Sequence, residues 1–463
     1  MQIDAHELRV TLDRKLAQHN VPGASIAIFS NGRATAASAG LGNITTGVAI
    51  DDNTLLHIGS ITKVFTTTLV MQLVDQGLVE LDENILTYIP DLRLRDRDAL
   101  SAITVKMLLN HTSGVDGSMF EDHGHDQETI ADGISRLSEL GQLFPPGMDF
   151  SYCNVGLIIA GFLVQRVTGE SWYRLVRERI FQPLGMLHSA TLPEEAILHR
   201  TSVGHYIHPT SNNLVRTSLA YFPLSMAPCG TTLMTSASDL LTFARAHLSQ
   251  GIGPNGARIL TKRSAELMRR VTVSNRSRGY TYIDMGLGWM CSEDGLLAHL
   301  GGGPGISAAL YAYPPKDFAA VILTNADYGI ALANDFLKPW LRELGAPEPM
   351  GVLAVTTPRA RVAFDPKRYL GTYEEAMKEY FVTDDGAGMK LSYRGKIKYC
   401  ENILLEASTP TRLIPLGGDQ FLMEGRGDHR APEAFRIIAF RNPDESGRMQ
   451  HLGNLGRLYR RVA

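Results

Sequence analysis

Apolar positions in the first three quarters of the chain recur with both helical and extended spacings. A strand is predicted over Ser25–Ser30, and Asn31-Gly32 is a strong signal for a tight hairpin into the next strand. A helix is predicted from Ile61 to Gly77, where apolar residues recur three and four positions apart. Further helical and then extended patterns follow at 157–167, 240–247, 297–300, 307–313 and 319–324. The first and last strands must then meet in one antiparallel sheet covered by helices, an α+β fold.

The pattern changes after residue 341. Residues 342–362 contain Gly345, Pro347, Pro349 and Pro358 and are predicted to be a linker. Beyond it, short strands alternate with turns through 363–463, which predicts a small up-and-down barrel or sandwich. The predicted domains are therefore 1–341 and 363–463.

Composition narrows the functional classes. The 463 residues exceed what one core usually holds, and 44% hydrophobic with 20% charged residues is ordinary for a globular protein. A formal net charge of −3 gives no electrostatic reason to expect a nucleic acid or membrane partner. No apolar run approaches the ~20 residues of a spanning helix, and the N-terminus lacks the pattern of a secretory signal. A cytoplasmic protein is expected.

Candidate chemistry begins at Ser60-Ile61-Thr62-Lys63, where a helix is predicted to start. Ser60 and Lys63 would lie on one helix face, one turn apart. An unprotonated lysine can take the proton of a serine and make it a nucleophile. Because Ser-x-x-Lys also recurs by chance on solvated helices, this motif alone is a weak signal.

Other segments strengthen the signal when they are read in chain order. They are Leu108–Gly114 with its His-Thr-Ser-Gly turn, Tyr152-Cys153-Asn154 after a Pro-Pro-Gly turn, and His299-Leu300-Gly301-Gly302-Gly303 before an apolar strand. Together with Ser60 and Lys63, over roughly residues 10 to 340, the chain resembles the serine β-lactamase and penicillin-binding-protein superfamily, in its class C β-lactamase, D-peptidase and esterase branch. The resemblance implies an antiparallel sheet flanked by helices, with a helical subdomain. The Gly371-Thr372-Tyr373 segment resembles the start of the lipocalin-like barrel attached to some members.

The resemblance implies roles for matching residues. Ser60 would become acylated, and Lys63 and Tyr152 would move its proton to the leaving group. Free lysine and tyrosine have pKa values of ~10.4 and ~10, so neither alone suits a base near neutrality. In contact they would titrate as a unit, and either could be the general base.

Binding roles are implied for residues around this set. The N–H groups of Ser60 and Gly302 are the expected oxyanion donors, and Asn154 and Gly301 are expected to contact substrate. His299 occupies a position where many relatives carry lysine. It offers a hydrogen bond or a switchable charge instead of a permanent cation, which favours a D-peptidase or esterase over an efficient β-lactamase.

Neither a metal nor a cofactor is expected. His123-Gly124-His125-Asp126 is similar to a zinc motif of other hydrolases, but its flanking acidic residues suit a solvated loop. The four cysteines, Cys153, Cys229, Cys291 and Cys400, show no metal-like pairing and are expected to be buried thiols.

Three functions remain open. The first is a serine acyl hydrolase or acyltransferase acting through acyl-Ser60 on peptide or ester substrates, with a D-residue at the acylating carbonyl. The second is a nonribosomal-peptide cyclase, because the two-domain plan with histidine at 299 resembles penicillin-binding-protein-type thioesterases; its substrate would be a peptidyl thioester on a carrier protein. The third is a noncatalytic β-lactam or peptide sensor, against which the complete set of catalytic residues argues.

Overall fold

A computed structural model describes most of the chain. The described residues are 4–117, 129–208, 211–219, 221–275, 284–346, 364–396, 407–424 and 436–462. Cys400, the His123–Asp126 motif and most of the predicted linker lie outside them.

An eight-stranded antiparallel sheet organises the first domain, in the order β3-β2-β1-β13-β12-β11-β10-β9. Its strands are β1 (Gly23–Ser30), β2 (Arg33–Asn43), β3 (Val48–Ala49), β9 (Asp284–Met285), β10 (Met290–Cys291), β11 (Leu297–Gly303), β12 (Ile306–Tyr313) and β13 (Phe318–Thr324). Smaller sheets hold β4 (Leu56–His57), β5 (Ser189–Ala190), β6 (His205–Ile207), β7 (Leu214–Arg216) and β8 (Met234–Thr235). The predicted meeting of first and last strands is confirmed, since Ala24 pairs with Thr324.

Helices cover both faces of the sheet. They are α1 (Ala5–His19), α2 (Thr62–Asp75), α3 (Arg97–Leu100), α4 (Val105–Leu109), α5 (Thr129–Ser135), α6 (Asn154–Thr168), α7 (Trp172–Val176), α8 (Gln182–Leu184), α9 (Pro193–Ala196), α10 (Ala237–Leu248), α11 (Lys262–Arg269) and α12 (Ile330–Glu343). Alternate residues of β13 enter two cores: Val321 packs with α2, α6 and α10, and Ile322 packs with α1 and α12. A strand buried on both faces explains why its sequence is continuously apolar.

The C-terminal strands close into an eight-stranded antiparallel barrel. They are β14 (Gly371–Glu374), β15 (Lys378–Asp384), β16 (Met389–Gly395), β17 (Thr411–Gly417), β18 (Gln420–Met423), β19 (Ile437–Pro443), β20 (Met449–Asn454) and β21 (Arg457–Arg461). The barrel has its own core, centred on Tyr373, Phe421 and Phe440. The predicted α+β domain followed by an all-β barrel is confirmed. The sequence also predicts a strand at 403–407, which lies almost wholly outside the described residues.

Candidate active site

Ser60 lies in a short 3-10 turn, Gly59–Ile61, directly before α2. Gly59 makes this turn possible, because its φ of 53° is in the left-handed region. The backbone of the neighbouring strand also runs close: a Cβ at position 59 would lie 2.8 Å from the Gly302 nitrogen. The serine is therefore held rigidly at a helix start, and its side chain remains partly exposed.

Lys63 is fully buried one turn after Ser60. Its amine donates a hydrogen bond to Ser60 Oγ at 3.0 Å and another to the Cys229 carbonyl oxygen at 2.6 Å. The sequence predicted the first contact from helix spacing, but the second comes from a residue 166 positions away. These two bonds aim the amine at the hydroxyl it would have to activate.

Tyr152 lies on the other side of the amine. Lys63 Nζ is 4.9 Å from the centroid of the Tyr152 ring. The ring of His111 packs at a tilt against that of Tyr152 with the centroids 4.5 Å apart, and His111 Nδ1 accepts a hydrogen bond from the Cys153 N–H at 3.0 Å. His111, from the His-Thr-Ser-Gly turn, therefore supports the tyrosine.

The glycines of β11 bring a strand edge against the Ser60 turn. A side chain at Gly301 would collide with the Ile58 carbonyl oxygen, whereas the same position at Gly302 faces open space. Close approach thus requires glycine at 301 and places the Gly302 backbone beside the Gly59-Ser60 turn. This placement suits an oxyanion donor at 302, and the substrate contact expected of Gly301 stays a prediction.

His299 is buried at the base of this strand, its ring centroid 6.5 Å from that of Tyr152. Burial, reinforced by the charge of Lys63, lowers the pKa of His299 to about 3. Its Nδ1 is 2.8 Å from the Leu300 carbonyl oxygen, and since a carbonyl only accepts, Nδ1 must carry the proton. Nε2 then presents a lone pair, with no hydrogen-bond partner among the described residues. Of the two predicted roles, the geometry favours a hydrogen-bond acceptor over a switchable charge.

The lowered pKa of His299 predicts a pH dependence of stability. The unfolded chain binds a proton at this histidine below ~6.5 and the folded chain does not, so acidification from pH 7 to pH 5 destabilises the fold. His299→Gln is expected to reduce that loss by about 2 kcal/mol, measured as urea unfolding at both pH values. The exposed His6→Gln variant is the control. An equal loss in His299→Gln and wild type would contradict the assignment.

Asn154 begins α6, where its side chain is buried and its N–H donates to the Gly117 carbonyl at 3.0 Å. In the described part of the chain, the amine of Lys63 bonds to Ser60 and Cys229 and not to Asn154. A contact from Asn154 to substrate remains a prediction.

The barrel supplies a residue that the sequence did not indicate. Arg457 on β21 donates to the Tyr152 carbonyl oxygen at 3.1 Å, and its guanidinium carbon lies 5.2 Å from the centre of the Tyr152 ring. The contact joins positions 305 apart, and no local motif marks an arginine for it.

The electrostatic environment of these residues is positive. After burial, the charges of Lys63 and Arg457 lower the pKa of His111. Positive charge around the Ser60 turn favours the oxyanion that an acyl transfer develops.

Metal-binding geometry is not found within the described ranges, where no three His, Cys, Asp or Glu residues are grouped to hold an ion. Cys153, Cys229 and Cys291 are buried free thiols as predicted. No helix in the described residues has the length and apolarity needed to cross a membrane.

Comparison with known proteins identifies the family. The beta-lactamase family model matches residues 8–336, and the chain belongs to this family of serine hydrolases related to penicillin-binding proteins. Penicillin-binding protein 4 of Amycolatopsis lactamdurans is 33% identical over 378 residues, which cover 81% of this chain and 98% of the relative.

Solved structures extend the similarity to the barrel. The crystal structure of SurE superposes with a TM-score of 0.77 and 26% identity over 99% of both chains. SurE with D-Leu gives a TM-score of 0.76, also at 26% identity and 99% of both chains. The D-amino acid amidase of Ochrobactrum anthropi SV3, in complex with L-phenylalanine amide, shares the fold of the first domain, with a TM-score of 0.60 and 24% identity over 74% of this chain and 98% of the amidase.

Proposed function

We propose that this protein is a serine acyltransferase or hydrolase that forms an acyl-Ser60 intermediate on peptide or ester substrates. The observation that carries the proposal is the 3.0 Å hydrogen bond from the buried Lys63 amine to Ser60 Oγ, beside the Tyr152 ring. An amine that is hydrogen-bonded to the hydroxyl and lies close to a phenol ring provides the groups that can transfer a proton from nucleophile to leaving group.

The reaction proceeds in two halves. Ser60 Oγ attacks the carbonyl carbon while the Lys63–Tyr152 pair accepts the hydroxyl proton. The oxyanion is held by the N–H groups of Ser60 and Gly302, and the pair then gives the proton to the departing group as its bond to the acyl carbon breaks. Water or an amine next attacks the ester, the proton of the attacking group returns through the pair to Ser60 Oγ, and the acid or amide leaves.

Similarity to SurE supports a D-configured residue at the acylating carbonyl, since one of its structures contains D-Leu and the superposition includes both domains. An apolar wall for such a side chain exists next to the turn. The Phe222 ring packs on His57 with centroids 5.4 Å apart and lies beside Gly303.

A second candidate function is peptide cyclisation, in which the amine that resolves acyl-Ser60 is the N-terminus of the same peptide. The barrel favours it, because Arg457 and Leu458 of β21 donate hydrogen bonds to residues 152 and 151, next to the proposed proton-transfer tyrosine. A second domain docked at this place can help to hold an amine in position and limit water. The donor would then be a peptidyl thioester, free or on a carrier protein.

The two functions differ in their products. Purified protein is expected to consume a linear peptide thioester ending in a D-residue at least tenfold faster than the matched peptide ending in the L-residue, by liquid chromatography and mass spectrometry. A product lighter than the linear acid by one water is the macrocycle, and the acid itself indicates hydrolysis. Equal consumption of both peptides would contradict the D-preference, and consumption of neither would favour the noncatalytic sensor.

A further inference from the structure

The hairpin that joins β20 to β21 contacts the candidate active site from the barrel domain. The Tyr152 N–H donates to the Gly456 carbonyl at 2.8 Å, and the Leu458 N–H donates to Ser151 Oγ at 3.0 Å. With the bond from Arg457 to the Tyr152 carbonyl, this hairpin holds residues 151 and 152 at three points. Its turn, Leu455-Gly456, is therefore fixed next to the proposed proton-transfer tyrosine.

The backbone of this turn is unfavourable for the residue it carries. Asn454 pairs with Arg457, and the two residues between them have φ values of 52° for Leu455 and 77° for Gly456. Positive φ at both central positions is a type I′ turn, which prefers Asn-Gly. Leucine rarely adopts this conformation because its Cβ approaches the following carbonyl oxygen.

The same chain builds an equivalent turn with the preferred residues. Asn31-Gly32 joins β1 to β2 with φ values of 52° and 75°. Leu455 thus occupies a turn position that prefers asparagine. Burial in the core does not compensate for this, because Leu455 is 44% exposed and belongs to none of the apolar clusters in the described residues. Strain retained without a packing benefit is typical of functional sites.

The position of the Leu455-Gly456 turn relates it to the second half of the proposed reaction, the attack of an amine on acyl-Ser60. Tyr152 would give a proton to the leaving group and take one from the attacking amine. Both groups must therefore lie on the side of Ser60 that faces Tyr152. Gly302, beside the Gly59-Ser60 turn, and Phe222, beside His57 and Gly303, would instead border the acyl group. The Leu455 side chain, at the tip of the barrel hairpin, is therefore placed to contact the attacking amine and not the acyl group attached to Ser60.

We propose that Leu455 determines which amine resolves the acyl-enzyme, by giving an apolar contact to the side chain of the incoming residue. This inference rests on the proposed function. In the step concerned, the amine nitrogen bonds to the acyl carbon, the bond from that carbon to Ser60 Oγ breaks, and the amine proton passes through the Lys63–Tyr152 pair to Ser60. The barrel domain thereby selects the nucleophile.

The test is an acceptor competition. The full-length protein is acylated with a peptide thioester ending in a D-residue, and L-leucinamide and glycinamide compete at equal concentration. Leu455→Asn is the informative variant, because asparagine suits the turn and the melting temperature should equal or exceed that of wild type. The ratio of leucinamide to glycinamide product is expected to fall about tenfold.

Two further variants complete the comparison. Leu455→Met keeps an apolar side chain and is expected to retain the preference. Leu78→Asn alters an exposed leucine beyond the far end of α2, about 20 Å from Ser60, and serves as the matched control. A folded Leu455→Asn variant with the wild-type ratio would overturn this inference alone. Absence of any acyl adduct on the wild-type protein, read by intact mass, would instead overturn the proposed function and this inference with it.

Discussion

Ser60→Ala is expected to reduce turnover of peptide thioesters and esters by at least about 10⁴-fold, because Ser60 Oγ is the hydroxyl that hydrogen-bonds to the Lys63 amine in the described part of the chain. The residual rate should come from binding and oxyanion stabilisation alone. Since Ser60 is partly exposed in its turn, the loss of one hydroxyl should leave the free energy of unfolding within about 1 kcal/mol of wild type.

Turnover by Ser60→Ala is compared with that of Ser101→Ala, which changes an exposed serine after α3. The control should react at the wild-type rate. A Ser60→Ala protein that is folded and retains more than a tenth of wild-type turnover would exclude the acyl-Ser60 mechanism.

Lys63→Met is expected to have the second largest effect. It removes the amine but keeps an unbranched side chain in a fully buried site, so the rate of Ser60 acylation should fall about 10²- to 10⁴-fold. Stability should change little, since replacing a buried amine with an apolar group of similar shape offsets the lost hydrogen bonds. Stopped-flow measurement of the acylation phase and a urea titration separate the two effects.

Lys106→Met is the matched control, because this lysine lies on α4 and is 40% exposed in its side chain. It should acylate at the wild-type rate. Acylation by Lys63→Met within tenfold of wild type would transfer the role of base to Tyr152 alone and would contradict the paired assignment.

The local elements of the first domain were predictable because each has a periodic pattern and a boundary signal. The strand β1 and its Asn31-Gly32 turn fall where the alternation and the turn residues predicted them. The start of α2 differs slightly: Ser60 is in a 3-10 turn and the helix begins at Thr62. The turn begins at Gly59, which has a left-handed φ and no room for a Cβ beside Gly302 of β11. Packing between residues so distant in sequence has no local signal.

The composition of the site was predictable only in part. Motif order predicted that Ser60, Lys63 and Tyr152 would lie together, and the Lys63 amine is 3.0 Å from Ser60 Oγ and 4.9 Å from the centroid of the Tyr152 ring; their catalytic roles stay predictions. The Cys229 carbonyl that fixes the Lys63 amine comes from a 3-10 segment without a recognisable motif. A backbone acceptor carries no side-chain identity, so sequence reasoning could not have found it.

The contact between the barrel and the first domain was also not predictable from the sequence. Its strands were predictable from turns and alternation, but its contact with Tyr152 was not, because docking depends on matching surfaces distant in sequence. Arg457 and Leu455 have no pattern that separates them from other barrel residues. Leu455 is distinguished by its positive φ and by the fixed position of its hairpin, both of which require the structure.

Peptide mapping after incubation with a thioester ending in a D-residue tests the central claim most directly. Quenching in acid within the first turnover should trap a mass increase equal to the acyl group on the proteolytic fragment that contains Ser60, and Ser60→Ala should show none. Acylation of another residue, or product formation without any adduct at Ser60 in the wild-type protein, would contradict the account.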